Sequence, residues 1–220
     1  MRQTDKFIPA LGHDLLTPLY DPLLRWVMRE EVFKHRLIEQ AEFRGGHRVL
    51  DLGCGTGTLA VMVKRSRPGV EVVGLDADAK VLELARAKAA KAGVELLLDQ
   101  GMAYQLPYPN DSFDRVLTSV MLHHLSTDDK RRTFAEVLRV LRPGGGLHVV
   151  DFGPPRTLYT RLMALVAARS EEIAANVQGR LPEMFREAGF EDVAEAGQLT
   201  TVAGSLSFYR ARKLSEGGDR

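Results

Sequence analysis

A chain of 220 residues, of which 45% are hydrophobic, is long enough to bury one sizeable core and short enough to form a single α/β domain. Its 30 basic and 29 acidic side chains nearly cancel, so the composition disfavours nucleic acid or an anionic membrane as the partner and favours a small molecule. Cys54 is the only cysteine, which excludes an internal disulfide and a zinc site built from several thiolates, and we expect no metal.

Neither the first residues nor the most apolar segment carries an export or membrane signal. Charged residues interrupt the first ten positions, where a secretory signal would be apolar. The apolar run Leu162–Ala168 is far shorter than the roughly 20 residues that cross a bilayer. We therefore expect a cytoplasmic protein without a transmembrane segment.

The first half of the chain alternates between helical and β-prone segments. Apolar residues recur at helical spacing from Pro22 to Ala41, and the glycines that follow end this helix. Asp78 is placed to cap a later helix that ends at Gly93. The pattern predicts helices at 22–41, 58–66 and 78–93 and strands at 48–52, 70–75 and 94–98.

The second half continues this alternation and then ends differently. The predicted elements are strands at 113–119 and 147–150, helices at 128–141 and 181–188, and two final strands at 192–199 and 202–211. Five strand–helix units predict a mostly parallel sheet, whereas two strands joined by a short turn must be antiparallel. The sequence therefore predicts an α/β fold with a mixed sheet and helices on both faces.

A glycine-rich turn follows the first predicted strand, within the segment Val49–Gly57. Glycines at positions 53, 55 and 57 remove side chains from this turn, so that a ligand can approach the main chain closely. The exposed N–H groups and the positive end of the next helix favour an anionic group, and Asp51 suits an ammonium group. The alternative is that the glycines only form a tight turn.

Asp76 ends the second predicted strand, at the neighbouring carboxyl edge of the sheet. A carboxylate in that place can accept hydrogen bonds from both hydroxyls of a ribose. Asp76 could instead cap the following helix, but Asp78 is available for that role, which favours ribose binding.

Together with three further motifs, these features resemble the class I S-adenosylmethionine-dependent methyltransferases, especially the small-molecule group that includes the ubiquinone and menaquinone C-methyltransferases. The resemblance runs nearly from end to end. It implies a Rossmann-like, mostly parallel sheet of seven strands, with the last strand inserted antiparallel. The motifs that carry it are the loop Asp51–Gly57, Asp76, the stretch Gly101–Asp114, Leu122–Leu125 and Val140–Gly145.

The resemblance implies S-adenosylmethionine as the cofactor and S-adenosylhomocysteine as its product. It assigns Asp51 and the loop glycines to the methionine moiety, Asp76 to the ribose, and Met102 with Ala103 to the adenine. Tyr20 resembles the family's N-terminal tyrosine that closes over the cofactor. The residues expected at the cofactor are Tyr20, Asp51, Gly53, Gly55, Gly57, Asp76, Ala77, Met102, Ala103 and Ser119.

Met102 departs from the family pattern, which usually has an aspartate that accepts a hydrogen bond from the adenine amino group. Only backbone groups and a thioether remain for that edge of the adenine here. This predicts that adenine recognition is weaker or that a neighbouring residue supplies it. The alternative is that Met102 only fills space.

Methyl transfer from a sulfonium mainly requires a nucleophile that is held in line and shielded from water. A general base is needed only if the nucleophile loses a proton as it attacks. His123 and His124 follow the fourth predicted strand and Asp151 the fifth, so these three are the candidate catalytic residues. Local packing of the histidines is the alternative. Cys54 is expected to pack within the loop rather than to act as a nucleophile.

The chain is divided into an N-terminal helical cap at 1–43, a methyltransferase domain at 44–213 and a disordered tail at 214–220. Within the domain, residues 154–179 are expected to form a substrate-covering insertion. Its apolar stripe predicts an apolar acceptor, whereas helix core or a homodimer surface would use the same residues. The stripe consists of Leu158, Tyr159, Leu162, Met163, Leu165 and Val166.

Two other functions remain open at this point. An NAD(P)-dependent oxidoreductase also has a glycine turn and a later acidic residue, but here Thr58 and Leu59 stand where its third glycine is expected, and we expect no separate catalytic domain. A methyltransferase-like scaffold subunit would bind the cofactor without catalysis. The sequence favours an enzyme that transfers a methyl group from S-adenosylmethionine to a small molecule.

Overall fold

Helices and strands alternate in the computed structural model, which describes residues 29–167 and 170–215. The helices are α1 (Glu30–Gln40), α2 (Thr58–Ser66), α3 (Ala79–Ala92), α4 (Thr127–Val140), α5 (Leu158–Ala167), α6 (Glu171–Val177) and α7 (Leu181–Glu187). The strands are β1 (Arg48–Leu52), β2 (Glu71–Asp76), β3 (Leu97–Gln100), β4 (Phe113–Ser119), β5 (Leu141–Phe152), β6 (Glu191–Thr201) and β7 (Gly204–Arg212). A 3-10 turn spans Leu122–His124.

The seven strands form one sheet in the order β3-β2-β1-β4-β5-β7-β6. Strands β1 to β5 pair in parallel, whereas β7 runs antiparallel to both β5 and β6. The strand order reverses between β1 and β4, and in open α/β sheets ligands bind at the carboxyl ends of the strands beside such a reversal. The predicted fold class is therefore confirmed, including the inserted antiparallel strand.

Two apolar clusters cover the two faces of this sheet. One joins β1, β4 and β5 to α4 and α7, with Phe134, Phe185 and Tyr209 among its buried residues. The other packs α1 and α2 against the opposite face through Phe33, Leu37 and neighbours. Burial on both faces explains why the central strands are nearly continuous apolar runs.

Local capping signals place the helix ends correctly. The Asp78 side chain accepts a hydrogen bond from the Lys80 N–H at 2.8 Å, and Gly93 ends the same helix in a left-handed conformation with φ of 65°. Ser126 caps α4 by accepting from the Asp129 N–H, so this helix begins one residue before the predicted start. A polar side chain at these positions satisfies backbone groups that the helix itself leaves unpaired.

Strand boundaries differ from the predictions where pairing decides them. Strand β3 begins at Leu97 instead of position 94, because its pairing with β2 runs from Val73 opposite Leu97 to Asp76 opposite Gln100. Strand β5 begins at Leu141 rather than at position 147 and includes Pro143 and Gly144, because it pairs with β4 on one side and with β7 on the other. β-Propensity alone does not contain this information.

Some of the predicted features fall outside the described residues. Tyr20 does so, as does the first part of the helix predicted at 22–41, of which the structure describes Glu30–Gln40. In the ranges 29–167 and 170–215, none of the helices combines the length and the apolar character needed to span a membrane.

Candidate active site

The residues predicted to bind the cofactor gather at the carboxyl edge of the sheet. Asp51 lies near the end of β1, Asp76 ends β2, and Ser119 ends β4. Since adjacent parallel strands end side by side, residues far apart in the sequence meet here. Tyr20 lies outside the described residues.

The three loop glycines are required for two different reasons. A Cβ on Gly53 would lie 2.3 Å from Cγ of Met121, and one on Gly57 would lie 2.9 Å from Cβ of Ala85. Gly55 has no atom within 4 Å of that position, but its φ of 52° is left-handed. Two glycines thus permit close packing, while the third faces open space where a ligand can approach.

Strand β2 holds the glycine loop in place. The N–H groups of Gly53 and Cys54 both donate to the Leu75 carbonyl, at 2.8 and 3.0 Å. The Gly55 N–H donates to Oδ2 of Asp76 at 2.8 Å. These N–H groups are therefore not free for an anion, which differs from the expectation that the loop exposes them. The first turn of α2 retains the positive end of the helix dipole.

A lysine on α3 also holds the loop. Lys88 Nζ donates to Oγ1 of Thr56 at 2.8 Å and to Oγ1 of Thr58 at 2.6 Å. Cys54 is buried, and burial raises the pKa of its thiol well above the usual range. This cysteine is therefore a packing residue and not a nucleophile, as expected.

Asp51 is a buried carboxylate that accepts no hydrogen bond of normal geometry from the described part of the chain. Its residue is 1% exposed, and among the described residues neither carboxylate oxygen has a partner. Burial raises the pKa of Asp51 to about 7, although Lys34 and the Ala60 N–H act in the opposite direction. An unpaired buried carboxylate is costly, so its chemistry fits a cation that arrives from outside the chain, such as the ammonium group of an amino acid.

Asp76 and the turn after β3 form the other end of the site. Oδ1 of Asp76 accepts from the Asp78 N–H at 3.0 Å, while Oδ2 accepts from Gly55. Each carboxylate oxygen has two lone pairs, so one acceptor position on each remains for a ribose hydroxyl. Met102 and Ala103 lie in the turn that follows β3, the strand paired with β2, and both are half-buried. Gln100 Nε2 donates to the Ala77 carbonyl at 3.0 Å.

His123 and Asp151 form a hydrogen-bonded pair beside this site. His123 Nδ1 lies 2.9 Å from Oδ1 of Asp151, which is fully buried. An ionised carboxylate only accepts, so Nδ1 carries the proton and Nε2 of neutral His123 is left as a proton acceptor. The side chain of His123 is 14% exposed, so the ring is not completely buried.

Four further groups donate to Asp151. Its burial favours the neutral form, but His123 and the hydrogen bonds outweigh burial and lower the pKa of Asp151. Such a carboxylate stays ionised and orients the imidazole. The four donors are the backbone N–H groups of Met121, Leu122 and Phe152 and the side-chain amide of Asn176.

His124 and Lys130 differ from His123 in their surroundings. Burial, reinforced by His123 and Lys130, lowers the pKa of His124 to about 4, so this ring is neutral at physiological pH. Burial also lowers the pKa of Lys130 to about 8, and its Nζ donates to the carbonyls of Leu125 and Glu172. Lys130 therefore ties the 3-10 turn that carries both histidines to α6.

The insertion at 154–179 covers the carboxyl end of β5. Asn176 on α6 reaches Asp151 with its Nδ2 at 3.2 Å, while its own Oδ1 is buried without a partner among the described residues. Helix α5 leaves Leu158 84%, Leu162 65% and Leu165 71% exposed. A cavity of about 70 Å³ lies under the insertion beside Phe152, lined mainly by apolar groups.

Four residues of this arrangement were not singled out from the sequence. Lys34, Lys88, Lys130 and Asn176 are ordinary polar positions on helices, and their periodicity only predicts a solvent-facing side. Lys34 and Lys130 are instead buried, next to the carboxylates of Asp51 and Asp151. Only the packing of distant segments brings these groups together.

The sequence and the fold match known proteins. Residues 49–145 match a family described as a methyltransferase domain. The demethylmenaquinone methyltransferase of Deinococcus radiodurans is 35% identical over 206 residues, which cover 89% of this chain and 84% of that protein. The demethylmenaquinone methyltransferase of Thermus thermophilus is 37% identical over 148 residues, which cover 66% of this chain and 63% of that protein.

A solved structure supports the same fold. The YcgJ protein of Bacillus subtilis matches with a TM-score of 0.67 at 23% identity, covering 84% of this chain and 99% of that chain. At that identity the likeness concerns the fold and not the activity. It is consistent with the seven-stranded sheet described above.

Proposed function

The chain belongs to the class I S-adenosylmethionine-dependent methyltransferases, and we propose that it binds S-adenosylmethionine at the carboxyl edge of its sheet and methylates a small apolar acceptor. The observation that carries this proposal is the buried carboxylate of Asp51 just before the glycine loop, which has no hydrogen-bond partner in the described part of the chain. A nicotinamide dinucleotide offers no ammonium group to such a carboxylate. The oxidoreductase alternative is therefore not favoured.

We assign each part of the proposed cofactor site to particular residues. Asp51 binds the ammonium group, and the first turn of α2 faces the carboxylate of the methionine moiety. Asp76 accepts hydrogen bonds from the ribose hydroxyls with the lone pairs that Gly55 and Asp78 leave free. The turn at Met102 and Ala103 lies beside the adenine, and Ala77 and Ser119 flank the cofactor site. Tyr20 is proposed to close over it.

The acceptor is proposed to be apolar, and demethylmenaquinone is the first compound to test. Two relatives carry the name demethylmenaquinone methyltransferase. The exposed leucines of α5 and the apolar cavity beside Phe152 support an apolar acceptor. The apolar face of α5 would contact the ring system of the acceptor and shield it from water.

His123 is proposed as the general base. The bound cofactor supplies an electrophilic methyl group on a positively charged sulfur. Replacing a hydrogen of the acceptor by this methyl group releases a proton, and Nε2 of His123 can take that proton because Nδ1 is held by Asp151. Asp151 keeps the ring in this tautomer and stabilises the imidazolium that forms. Asn176 and the backbone donors fix Asp151 in turn.

Calorimetric titration with two ligands tests the role of Asp51. S-Adenosylhomocysteine contains the ammonium group, whereas 5′-methylthioadenosine lacks the entire amino-acid end. Because a hydrogen bond to a charged group contributes about 1.5–3 kcal/mol, Asp51→Asn should weaken S-adenosylhomocysteine binding about 10- to 100-fold. The same variant should bind 5′-methylthioadenosine as the parent protein does.

The matched control is Asp76→Asn, which should weaken both ligands because both contain the ribose. Equal losses for the two ligands in Asp51→Asn would remove Asp51 from the ammonium site. If the folded parent protein binds neither ligand, the proposed function is wrong.

A further inference from the structure

Arginines from two strands converge at the amino edge of the sheet, opposite the proposed cofactor site. Arg115 on β4 pairs with Gly146 on β5, and Gly146 pairs with Arg212 on β7. Two residues further along the same strands, and so on the same face, His148 on β5 pairs with Arg210 on β7. Directly paired residues point to the same face, so these four side chains share one face of the sheet. They line a groove of about 520 Å³.

Gly146 forms the floor of this groove. A Cβ at that position would lie 2.9 Å from Nε2 of His148 and 3.4 Å from Cδ of Arg115. The missing side chain therefore lets the His148 ring and the Arg115 side chain lie close to the strand. An alanine would displace the His148 ring without changing any charge.

His148 presents a neutral hydrogen-bond donor to the groove. Gln40 Nε2 donates to the Tyr209 carbonyl at 2.8 Å, which identifies this atom as the amide nitrogen. The same nitrogen lies 3.2 Å from Nδ1 of His148, so Nδ1 accepts and Nε2 carries the proton. Burial, together with Arg115 and the two arginines of β7, lowers the pKa of His148 to about 3, so the ring stays neutral.

The positive charges of the groove are not neutralised by carboxylates. Within the described ranges, no carboxylate lies within salt-bridge distance of Arg115, Arg210 or Arg212, nor of the nearby Arg44. Burial and the nearby Arg212 lower the pKa of Arg115, a sign that these cations repel one another. An anion placed among them would relieve this repulsion.

Four carboxylates lie near the groove and limit its net charge, among them Glu191, which pairs directly with Arg212. Glu42 and Asp192 line the groove, and Asp114 lines a smaller depression of about 190 Å³ that shares Arg115 and Arg212. Asp114 is already engaged, because it binds the Arg142 guanidinium at 2.7 Å and the Arg48 N–H at 2.7 Å. Among the residues that line the groove, the three arginines therefore outnumber the two carboxylates.

We propose that this groove is a second ligand site, which binds a phosphate-bearing anion of about pyrophosphate size between Arg115, Arg210, Arg212 and the Nε2–H of His148. Guanidinium groups match tetrahedral oxyanions because they donate two parallel hydrogen bonds from a rigid plane. Cations that approach from two strands favour a ligand with several negative oxygens over a single carboxylate. Neither the cofactor nor the proposed acceptor of this enzyme carries such a group, so the site is separate from catalysis.

Calorimetric titration of the full chain with inorganic pyrophosphate tests the proposal. We expect saturable binding of one pyrophosphate per chain at low ionic strength, weaker but measurable at physiological ionic strength. Arg212→Gln should weaken this binding about tenfold or more, because it removes a charge-assisted pair. Gly146→Ala should weaken it with every charge retained.

The matched control is Arg65→Gln, which removes an exposed arginine from the end of α2 and should leave pyrophosphate binding unchanged. S-Adenosylhomocysteine affinity and the thermal transition should be the same in all variants, which shows that they fold. If Arg212→Gln fails to fold, Arg210→Gln provides the same test.

A comparison of ligands identifies the source of the phosphate groups. Equal affinities for pyrophosphate and ADP would assign the site to the phosphates alone, and tighter binding of ADP would assign it to a nucleotide. The proposal is overturned if pyrophosphate shows no saturable heat. It is also overturned if Arg212→Gln, Arg210→Gln and Gly146→Ala all bind pyrophosphate as the parent protein does.

Discussion

Two equally buried aspartates lie at the carboxyl ends of β1 and β5, and their pKa values are shifted in opposite directions. Asp51 and Asp151 are 1% and 0% exposed. Asp151 accepts hydrogen bonds from five donors and has a lowered pKa, whereas Asp51 accepts none among the described residues and has its pKa raised to about 7. Burial alone therefore does not set the role of a carboxylate.

The difference indicates which part of the site is complete before a ligand arrives. Asp151 is satisfied by the protein itself, so it stabilises the fold and orients His123. Asp51 is left unsatisfied by the described part of the chain, so the free protein loses stability in order to keep a place for a cation. Functional sites often retain residues that lower the stability of the free protein.

The largest effect is expected from Asp151→Asn. An amide cannot accept from all five donors, so the variant should lose about 2–4 kcal/mol in the free energy of unfolding at neutral pH. Since the folded pKa of Asp151 is lowered, its stabilising contribution is present above its ordinary value of 3.8 and is lost at lower pH. Chemical denaturation at neutral and acidic pH measures this difference, which should shrink in acid.

The same variant should also lose at least about 100-fold in kcat, because His123 would no longer be held in one tautomer. The methylation rate of demethylmenaquinone, measured at saturating cofactor, checks this. A stable Asp151→Asn variant with normal kcat would contradict the different roles that are assigned here to Asp51 and Asp151.

The next largest effect distinguishes the catalytic roles of the two histidines on the 3-10 turn. His123→Ala should lower kcat about 100-fold with little change in KM for the cofactor, because it removes the proton acceptor beside Asp151. His124→Ala is the control and should lower kcat less than about tenfold, since a pKa of about 4 makes the His124 ring a weak proton acceptor. If His124→Ala has the larger effect on kcat, the assignment of the base is reversed.

The smallest effect concerns the pH dependence of stability at Asp51. Its folded pKa of about 7 lies above its ordinary value of 3.8, so the unfolded chain releases this proton first as pH rises. The free energy of unfolding of the ligand-free protein should therefore fall between these two pH values. Asp51→Asn should remove this fall and make the ligand-free protein more stable above pH 7.

Thermal unfolding of both variants at a series of pH values checks this prediction. Asp151→Asn is the natural control, because its change in stability should have the opposite sign. A loss of stability in Asp51→Asn at about pH 8 would mean that Asp51 already has a cationic partner within the chain.

The sequence predicted the features that depend on neighbouring residues. The left-handed glycines of the loop, the Asp78 cap and the Gly93 stop are local, because turn geometry and helix ends are decided within a few residues. The mixed sheet also followed from the alternation of elements, since parallel strands need a crossover and two strands joined by a short turn must be antiparallel. The placement of Asp51, Asp76, His123 and Asp151 at one edge follows from the same rule.

Only the tertiary structure decided which groups meet. The sequence treats His123 and His124 alike, but the 3-10 turn directs only His123 Nδ1 to Asp151. Two features depend on strand register, namely that Asp51 has no partner among the described residues and that Arg115 and Arg212 gather around Gly146. Register and burial arise from contacts between residues that are distant in the chain. Local propensity therefore determined where the chain turns, and packing determined which charges are satisfied.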